Sequence, residues 1–414
     1  MFIIEQRELL KAVKITAEAI RTKTLLESCY MDIAFTYRPS FKDIKMFASC
    51  GDFSIAYYLE PYKYEIKKEF NNFRVNYKKL LNCVDSFDKD CKLSLSTENG
   101  KLKISEYSRK VSYSNIVCND LYEYPEIELL SDKASQNLQA YTNEKALKEM
   151  LKNGNFAIAE KDEVRTVLKG TLFEFSNKDL KLITANGRML CITGSKELDK
   201  ISKGDMKSCI IGREITAKLE KLLSNTEKHL SIYWTVDDSG DIKRIEFMFG
   251  NIVFQALIIE SGKYPNWRQM ENPESYYEYK FFVSKKELDR ICIKHNKFFA
   301  GIADERADNL NITSFLMNTE NEKLTVESKD YNEQSSATDE IEINNANKNY
   351  KGTNEIFLDI SYVQKIIKNI SGEIYFKVKE SNYTKQPLEI VGEDPNKFKC
   401  ILMPISVKKE KKDG

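Results

Sequence analysis

The chain has 414 residues, of which 42% are hydrophobic, and its 64 Lys and Arg nearly balance its 63 Asp and Glu. This length exceeds what a single hydrophobic core serves and predicts two to four domains. The net charge of +1 excludes recruitment of nucleic acid by a global positive field, so any such role depends on where the charges lie.

Two kinds of amphipathic segment recur along the chain and are typical of helices. Each begins with polar or charged residues and continues with apolar residues at helical spacing. The first kind begins near Gln6, Asn143 and Ser284, and the second near Asn76, Gly212 and Asp359. Since successive starts of one kind are roughly 140 residues apart, the pattern predicts three copies of a unit with two helices.

Strand patterns follow the second helix of every copy. In the first copy, apolar residues alternate on both sides of Asn99-Gly100, which predicts a hairpin with a tight turn. Similar strands are expected at 232–236 and 245–249, and again at 374–378 and 388–390. Further strands are expected between the two helices of each copy.

The polar, Asn-rich segment 318–354 is less ordered in pattern than its surroundings and predicts a long loop in the third copy. Together these patterns predict an α+β fold of three similar domains, each with two helices packed on antiparallel sheets. We place the domains at residues 1–130, 131–273 and 274–414, the last with the loop 318–354 and a basic tail at 408–414.

Basic side chains form a stripe on five of the six predicted helices. The stripes contain Arg7, Lys11, Lys14, Arg21, Lys145, Lys148, Lys152, Lys218, Lys221, Lys286, Arg290, Lys294, Lys297, Lys365 and Lys368. A solvated polar face explains such a stripe on any single helix. Because the stripes recur in all copies, they also predict a locally positive surface for the phosphates of double-stranded DNA. The sequence has no zinc-finger spacing, RNP motif or KH loop for reading bases.

Catalytic and metal-binding signatures are missing from the sequence. The two histidines, His229 and His295, have no nucleophile elbow, Walker loop or zinc-protease motif around them. His229 precedes a predicted strand and His295 belongs to a predicted helix end, so surface or capping roles are expected. We predict no catalytic residue, no metal site and no cofactor, and hence a protein that is not an enzyme.

Cysteine usage and the N-terminal segment indicate the compartment. The nine cysteines are scattered, odd in number and without a C-x-x-C pair. Reduced core cysteines explain them better than a disulfide framework or a zinc site. The early charges Glu5 and Arg7 argue against a signal peptide, and no run approaches the roughly 18 apolar residues of a spanning helix. A cytoplasmic protein that does not bind membranes is expected.

Six segments carry a resemblance to a known family. They are EQRELLKAV at 5–13, the run 156–175, TANGRML at 184–190, GKYPNWRQM at 262–270, ISYV at 360–363 and ILMPI at 401–405. With these segments in this order and spacing, the chain resembles the bacterial DNA polymerase III beta subunit, the sliding clamp, over essentially its whole length.

The resemblance implies a head-to-tail homodimer whose two half-rings of three domains close around duplex DNA. Helices would line the hole, sheets would form the rim, and the helix end near Ile293 would pack at the contact between copies. The implied function is to tether polymerase for processive synthesis, with the DNA polymerase III alpha subunit, a clamp loader and other clamp-motif proteins as partners. An alternative is a clamp-like interaction module or decoy that binds clamp partners without encircling DNA.

The resemblance also implies residues for two kinds of contact. Arg21 or Lys23, and Arg165, occupy loops that touch DNA in the family. A pocket for a partner peptide would comprise Leu168, Ala185, Gly187, Arg188, Met189, Leu190, Pro265, Gln269, Met270, Tyr362, Pro387, Ile401, Leu402, Met403, Pro404, Ile405 and Ser406. The sequence departs from the family where Gln269 replaces a common arginine and where Thr166-Val167 replaces an aromatic pair.

Overall fold

The computed structural model describes residues 2–20, 28–61, 63–64, 72–108, 113–121, 124, 128–133, 138–160, 163–176, 179–196, 198–200, 206–260, 262–277, 279–300, 310–330, 334–345, 353–370, 372–379 and 386–407. Its contacts divide the chain into two compact units. Unit 1 comprises Met1–Lys148, Ser176–Lys178 and Glu197–Ile258. Unit 2 comprises Glu149–Phe175, Asp179–Lys196 and Ile259–Gly414. The division into three domains stays a prediction.

Six helices form in the described part of the chain, and each begins within two residues of the end of a strand. They are α1 Gln6–Ala17, α2 Tyr77–Asp85, α3 Glu144–Gly154, α4 Arg213–Leu222, α5 Lys285–Ala300 and α6 Ile360–Lys368. The two-helix pattern of the sequence is thereby confirmed, with each start within one residue of its predicted position.

Local chemistry explains where these helices begin and which face they bury. The Asn76 side chain accepts hydrogen bonds from the backbone N–H groups of Lys78 and Lys79, at 3.2 and 3.3 Å. Asp359 accepts one from Ser361 at 2.8 Å. Such N-caps satisfy backbone donors that have no partner inside the helix. The apolar stripe behind each cap is buried, so the helices pack with their polar faces outward.

Unit 1 contains two antiparallel sheets. Its strands are β1 Phe2–Glu5, β2 Asp32–Arg38, β3 Asp43–Ser49, β4 Phe53–Leu59, β5 Lys63–Tyr64, β6 Phe73–Asn76, β7 Lys92–Glu98, β8 Lys101–Glu106, β9 Tyr113–Val117, β10 Leu138–Asn143, β14 Asp199–Lys200, β15 Lys207–Gly212, β16 His229–Val236, β17 Ile242–Phe249 and β18 Ile252–Leu257. One sheet runs β5-β1-β7-β8-β9, and the other β14-β10-β16-β17-β18-β4-β3-β2-β6, while β15 belongs to neither. The predicted hairpin at Asn99-Gly100 joins β7 to β8, and both turn residues have positive φ, as a tight hairpin turn requires.

Unit 2 contains one long run of antiparallel strands. They are β11 Gly170–Phe175, β12 Leu180–Ala185, β13 Met189–Ser195, β19 Tyr279–Val283, β20 Ile312–Asn318, β21 Lys323–Lys329, β22 Ser336–Asn345, β23 Thr353–Asp359, β24 Ile374–Val378, β25 Leu388–Val391 and β26 Phe398–Leu402. Within the unit their order is β11-β12-β13-β26-β25-β24-β19-β22-β21-β20-β23. The inward residues form a continuous core with α5 and α6, in which Phe281 stacks on Phe376 with ring centres 5.1 Å apart.

The prediction of a long loop at 318–354 is wrong for the described part of that segment. Strands β21 and β22 lie within it, and β23 begins at its end. Leu324 and Val326 are buried on β21, as are Ile341 and Ile343 on β22. Each strand buries only one face, so its outward polar residues dominate the composition while the apolar residues keep a period of two. The stretches 331–333 and 346–352 and the tail 408–414 lie outside the described residues.

One strand pairing occurs twice in the chain with the same geometry. In unit 1, β4 pairs with β18, and in unit 2, β13 pairs with β26. The N–H of Leu257 donates to the carbonyl of Asp52 at 2.9 Å, and the N–H of Met403 donates to the carbonyl of Arg188 at 2.9 Å. β4 is the third strand after α1, and β13 is the third strand after α3. Each of them pairs with the last strand of the next copy of the repeated unit.

Candidate functional site

The predicted basic side chains lie mostly at the surface of their helices. Those exposed are Arg7, Lys11, Lys14, Lys152, Arg165, Lys221, Lys286, Arg290, Lys294, Lys297, Lys365 and Lys368, and those half-buried are Lys145, Lys148 and Lys218. The loop residues Arg21 and Lys23 fall outside the described residues. Exposure is what a phosphate contact needs, but a solvated helix face has it as well.

Several of these cations already have partners within their own unit. Arg7 pairs with Asp90 at 2.5 Å, and Lys145 pairs with Glu227 at 3.1 Å. Such exposed ion pairs are weak and break readily in salt. Lys148 is held differently, since its Nζ donates to the carbonyl of Leu223 at 2.6 Å, where α4 ends. A cation there is favoured by the helix dipole, so Lys148 is the least available of these for DNA.

Glu18 binds two of the predicted DNA-binding lysines in unit 1. It lies just after α1, and its two carboxylate oxygens contact Lys218 and Lys221 of α4 at 2.5 Å each. Partial burial by itself would raise the pKa of Glu18, but the hydrogen bonds and charges of the two lysines outweigh it and hold the pKa below its usual value. Glu18 is therefore ionised at neutral pH and neutralises part of this helix face.

Arg165 was expected in a DNA-binding loop, and in the structure it lies beside the predicted peptide pocket. Its guanidinium pairs with Glu163, with the Arg165 Nε to Glu163 Oε1 distance 2.9 Å. These hydrogen bonds lower the pKa of Glu163 to about 2. A Cβ added at Gly187 would come within 2.8 Å of Arg165 Nη2, so the guanidinium covers the turn between β12 and β13.

The centre of the predicted pocket is built on the β13–β26 pair of unit 2. Met189 faces Leu402 and Leu190 faces Ile401 across the pair, and all four are buried. At the end of the pair the chain emerges, so Met403, Pro404 and Ile405 are half-buried and Ser406 is exposed. The N–H of Ile405 donates to the carbonyl of Phe357 at 2.8 Å, which holds this emerging segment along β23.

The turn before β13 is fixed by its own side chains. Asn186 Oδ1 accepts hydrogen bonds from the N–H groups of Arg188 and Met189, each at 3.0 Å. Gly187 between them has a φ of 86°, where a side chain would be strained. Arg188 is exposed, and its charge acts on the half-buried Tyr362 of α6, whose pKa is raised by burial. The structure thus brings Arg188, Met189, Tyr362 and Met403 to one place.

A second wall comes from the segments before β11 and after residue 261. Leu168 is buried in the turn Thr166–Lys169, while Ala185 is buried at the end of β12. Pro265 and Gln269 are exposed, and Met270 and Pro387 are half-buried. Two further residues were missed from the sequence, Val167 and Tyr264. Val167 lies 3.3 Å from a Cβ built at Gly262.

Tyr264 joins this second wall to the β12–β13 hairpin. It is half-buried near the backbone of Ala185, and burial raises its pKa. The signal for it was the Tyr-Pro pair that recurs as Tyr124-Pro125, because Tyr124 is also buried and its hydroxyl donates to the carbonyl of Asp32 at 3.1 Å. A buried tyrosine before a proline thus anchors the chain at both positions.

The expected role of His295 was wrong. His295 is fully buried within α5, not at a capping position, with Nδ1 2.7 Å from Ser328 Oγ and Nε2 3.1 Å from Asp339 Oδ2. Burial lowers its pKa, so the ring is neutral at pH 7 and serves as a core hydrogen-bonding group. Among the described residues, no three His, Cys, Asp or Glu side chains are placed to hold a metal ion. No helix in the described ranges is long and apolar enough to cross a membrane.

Comparison with known proteins agrees with the fold. Residues 142–266 match the family model for the DNA polymerase III beta subunit, central domain. The Beta sliding clamp of Pseudomonas putida is 20% identical over 331 residues, which are 79% of this chain and 80% of that protein. That of Buchnera aphidicola is 24% identical over 335 residues, which are 79% of each chain.

A solved structure shows the same architecture over nearly the whole chain. The DNA polymerase III subunit beta from Pseudomonas aeruginosa aligns with a TM-score of 0.81 at 17% identity, covering 98% of this chain and 100% of that one. The α+β fold of antiparallel sheets with paired helices is confirmed. By sequence over 79% of its length and by fold over 98%, the chain therefore resembles the bacterial DNA polymerase III beta-subunit family, and its fold is that of the sliding clamp.

Proposed function

We propose that this protein is a DNA sliding clamp, a homodimeric ring that encircles duplex DNA and tethers the replicative polymerase during processive synthesis. It would act in the cytoplasm as a non-catalytic processivity factor, without a cofactor. The observation that carries the proposal is the strand pairing that occurs twice within the chain, because a third use of the same pairing requires a second copy.

The two strands left for that third pairing are β22 and β9. β4 and β13 are the third strands of their copies and pair with the last strand of the next copy, β18 and β26. β22 is the corresponding third strand, and β9 is the last strand of the first copy. β9 is the edge of its sheet, and residues 336–342 of β22 pair on one side with β21.

The chemistry of the two edges fits this pairing. Val117 at the end of β9 is 59% exposed, and Ile293 on α5 is 40% exposed. Open sheet edges and apolar surface residues are liabilities unless a partner covers them. β22 carries Asp339, Glu340 and Glu342, while Lys101 lies on the strand next to β9. A head-to-tail contact joins two different, complementary surfaces. If each protomer contributes both a β9 edge and a β22 edge, two protomers form two such contacts and close into a ring.

Inside such a ring, sequence-independent contact with DNA follows from the exposed cations of the helices. Lys14, Lys152, Lys286 and Arg290 are exposed on three helices and suit phosphate contacts that do not read bases. The pocket at the β13–β26 pair would take a peptide segment of the DNA polymerase III alpha subunit, the clamp loader or another clamp-motif protein. Its half-buried Met403 and Tyr362 offer apolar contact, and Arg188 at the rim offers polar contact.

Light scattering tests ring formation. The unaltered chain is expected to have twice the mass of its 48.1 kDa protomer. Val117→Glu places a carboxylate on β9 opposite the acidic β22 edge and should give protomers. Val236→Glu is the matched control, because Val236 is 47% exposed at the end of β16, in a sheet that contains neither β9 nor β22. A protomer mass for the unaltered chain would refute the ring. It would favour the alternative of a clamp-like module or decoy that binds clamp partners without encircling DNA.

Retention on DNA tests encirclement itself. After loading by a cognate loader, the protein should stay on nicked circular DNA and leave when the circle is cut to a linear molecule. Equal retention on both forms would indicate ordinary surface binding.

A further inference from the structure

Glu18 forms an internal contact with two lysines that the sequence assigns to DNA. Lys218 and Lys221 are three residues apart on α4 and therefore project from the same face of that helix. Each Nζ lies 2.5 Å from a different oxygen of the Glu18 carboxylate. The Lys218 and Lys221 side chains are 39% and 64% exposed, whereas Glu18 is 24% exposed.

The contact crosses a long separation in sequence and joins two helices of unit 1. Glu18 follows the C-terminal turn of α1, where its backbone N–H bonds to the carbonyls of Ile15 and Thr16. The partial negative charge of a helix C-terminus disfavours a carboxylate there. The two lysines offset that repulsion, which explains why the pKa of Glu18 stays low despite partial burial. Removing the carboxylate would leave two cations near a helix C-terminus, an arrangement that the dipole favours, so the helices should remain folded.

We propose that Glu18 competes with DNA phosphate for Lys218 and Lys221 and so lowers the affinity of the protein for DNA. This inference rests on the proposed DNA-encircling function. With Glu18 ionised, the three groups carry a net charge of +1, and without it they carry +2. A lysine that stays bound to a carboxylate neutralises no phosphate and releases no counterion from the DNA, so it adds little to the salt-dependent part of DNA binding. Lower affinity is an advantage for a protein that must slide, because strong phosphate contacts oppose movement along the duplex.

The salt dependence of DNA binding separates this role from a purely structural tie. Fluorescence anisotropy with a short linear duplex, from about 50 to about 200 mM salt, gives the slope of log Kobs against log salt concentration. Glu18→Gln should steepen the slope by about 0.9, the value for one additional phosphate neutralised. A tie that merely positions α1 and α4 would leave the slope unchanged or reduce it.

Two further variants make the test specific. In a Lys218→Gln, Lys221→Gln background, Glu18→Gln should no longer steepen the slope, because the cations that it frees are gone. Glu5→Gln is the matched control, since Glu5 is exposed at the other end of α1 and its side chain makes no capping bond. Its slope should equal that of the unaltered chain, and light scattering should give the same mass for every variant.

The outcomes separate this inference from the proposed function. If the unaltered chain binds DNA with a measurable salt slope and Glu18→Gln does not change it, the competition is refuted while the clamp proposal stands. If the unaltered chain shows no salt-dependent binding to the linear duplex, the competition is refuted, whereas the clamp proposal fails only if the chain has a protomer mass or is retained equally on circular and linear DNA.

Discussion

The buried ion pair of unit 2 permits a quantitative prediction about stability. Lys377 on β24 and Glu389 on β25 are 3% and 1% exposed, with Nζ 3.0 Å from a carboxylate oxygen. Lys377 also contacts Glu274 at 2.6 Å, and Glu389 contacts the hydroxyl of Tyr277 at 3.0 Å. Burial by itself would lower the pKa of Lys377, but its interactions with the two glutamates outweigh burial and raise it. Lys377 is therefore charged at pH 7.

Lys377→Met is expected to destabilise unit 2 near the lower end of the roughly 3–5 kcal/mol measured when one partner of a buried pair is removed. Glu389 would remain buried without its nearest cation, with Lys399 at 3.8 Å and Tyr277 as its remaining partners. Glu389→Gln should cost less, because Lys377 keeps the 67%-exposed Glu274. The double variant Lys377→Met, Glu389→Leu should be within about 1 kcal/mol of the unaltered chain, since hydrophobic replacement of a whole pair is often neutral.

The two tryptophans allow the assay to follow one unit alone. Trp234 lies in unit 1 and Trp267 in unit 2, and both are buried. In a Trp234→Phe background, Trp267 fluorescence during urea unfolding reports on unit 2, and the midpoint with its slope gives the change in free energy. The reasoning would be refuted if Lys377→Met and the double variant lost the same stability, because the cost would then come from packing and not from an unpaired charge.

Three shorter predictions follow from the same unit. Burial lowers the pKa of His295 below its unfolded value, so the unfolded state binds the extra proton first and the stability of unit 2 should fall as pH drops below about 6.5. His295→Gln should flatten this pH dependence of stability in urea unfolding, and an unchanged pH dependence would contradict the prediction. Gly187→Ala should cost about 1–2 kcal/mol, since φ is 86° and Arg165 occupies the space of the new Cβ; a urea midpoint equal to that of the unaltered chain would refute the strain. Met403→Ala should weaken binding of a labelled polymerase peptide roughly tenfold, about 1.4 kcal/mol, without changing the mass of the protein in light scattering. Met248→Ala, at a half-buried site in unit 1, is the control, and an equal loss of peptide affinity in both variants would count against the pocket.

The sequence predicts helix starts and tight turns well, because both depend on residues close together. Asn76 and Asp359 cap the helices that their positions indicate, and Asn99-Gly100 forms the expected hairpin turn. In these places the chemistry that sets the structure lies within a few residues of the position that it sets.

Contacts between distant residues could not be predicted in this way. His295 reads as a helix-end residue until β22 supplies Asp339, 44 residues later. Lys218 reads as a free surface cation until α1 supplies Glu18, 200 residues earlier. The segment 318–354 is polar in composition, and only the period of two of its few apolar residues, among them the buried Ile341 and Ile343, indicates strands. Each error concerns a partner or face that only the folded chain reveals.

The repeated strand pairing has a consequence for where the proposed ring can be unlocked. At the β4–β18 and β13–β26 joints the peptide backbone also connects the paired copies, so separating the strands there would leave the parts tethered and ready to pair again. The β22–β9 joint between two protomers has no such covalent tether. A closed DNA duplex can therefore enter the proposed ring only between protomers, where breaking the hydrogen bonds of the β22–β9 joint opens a gap. At the other two joints the peptide backbone would still close the ring.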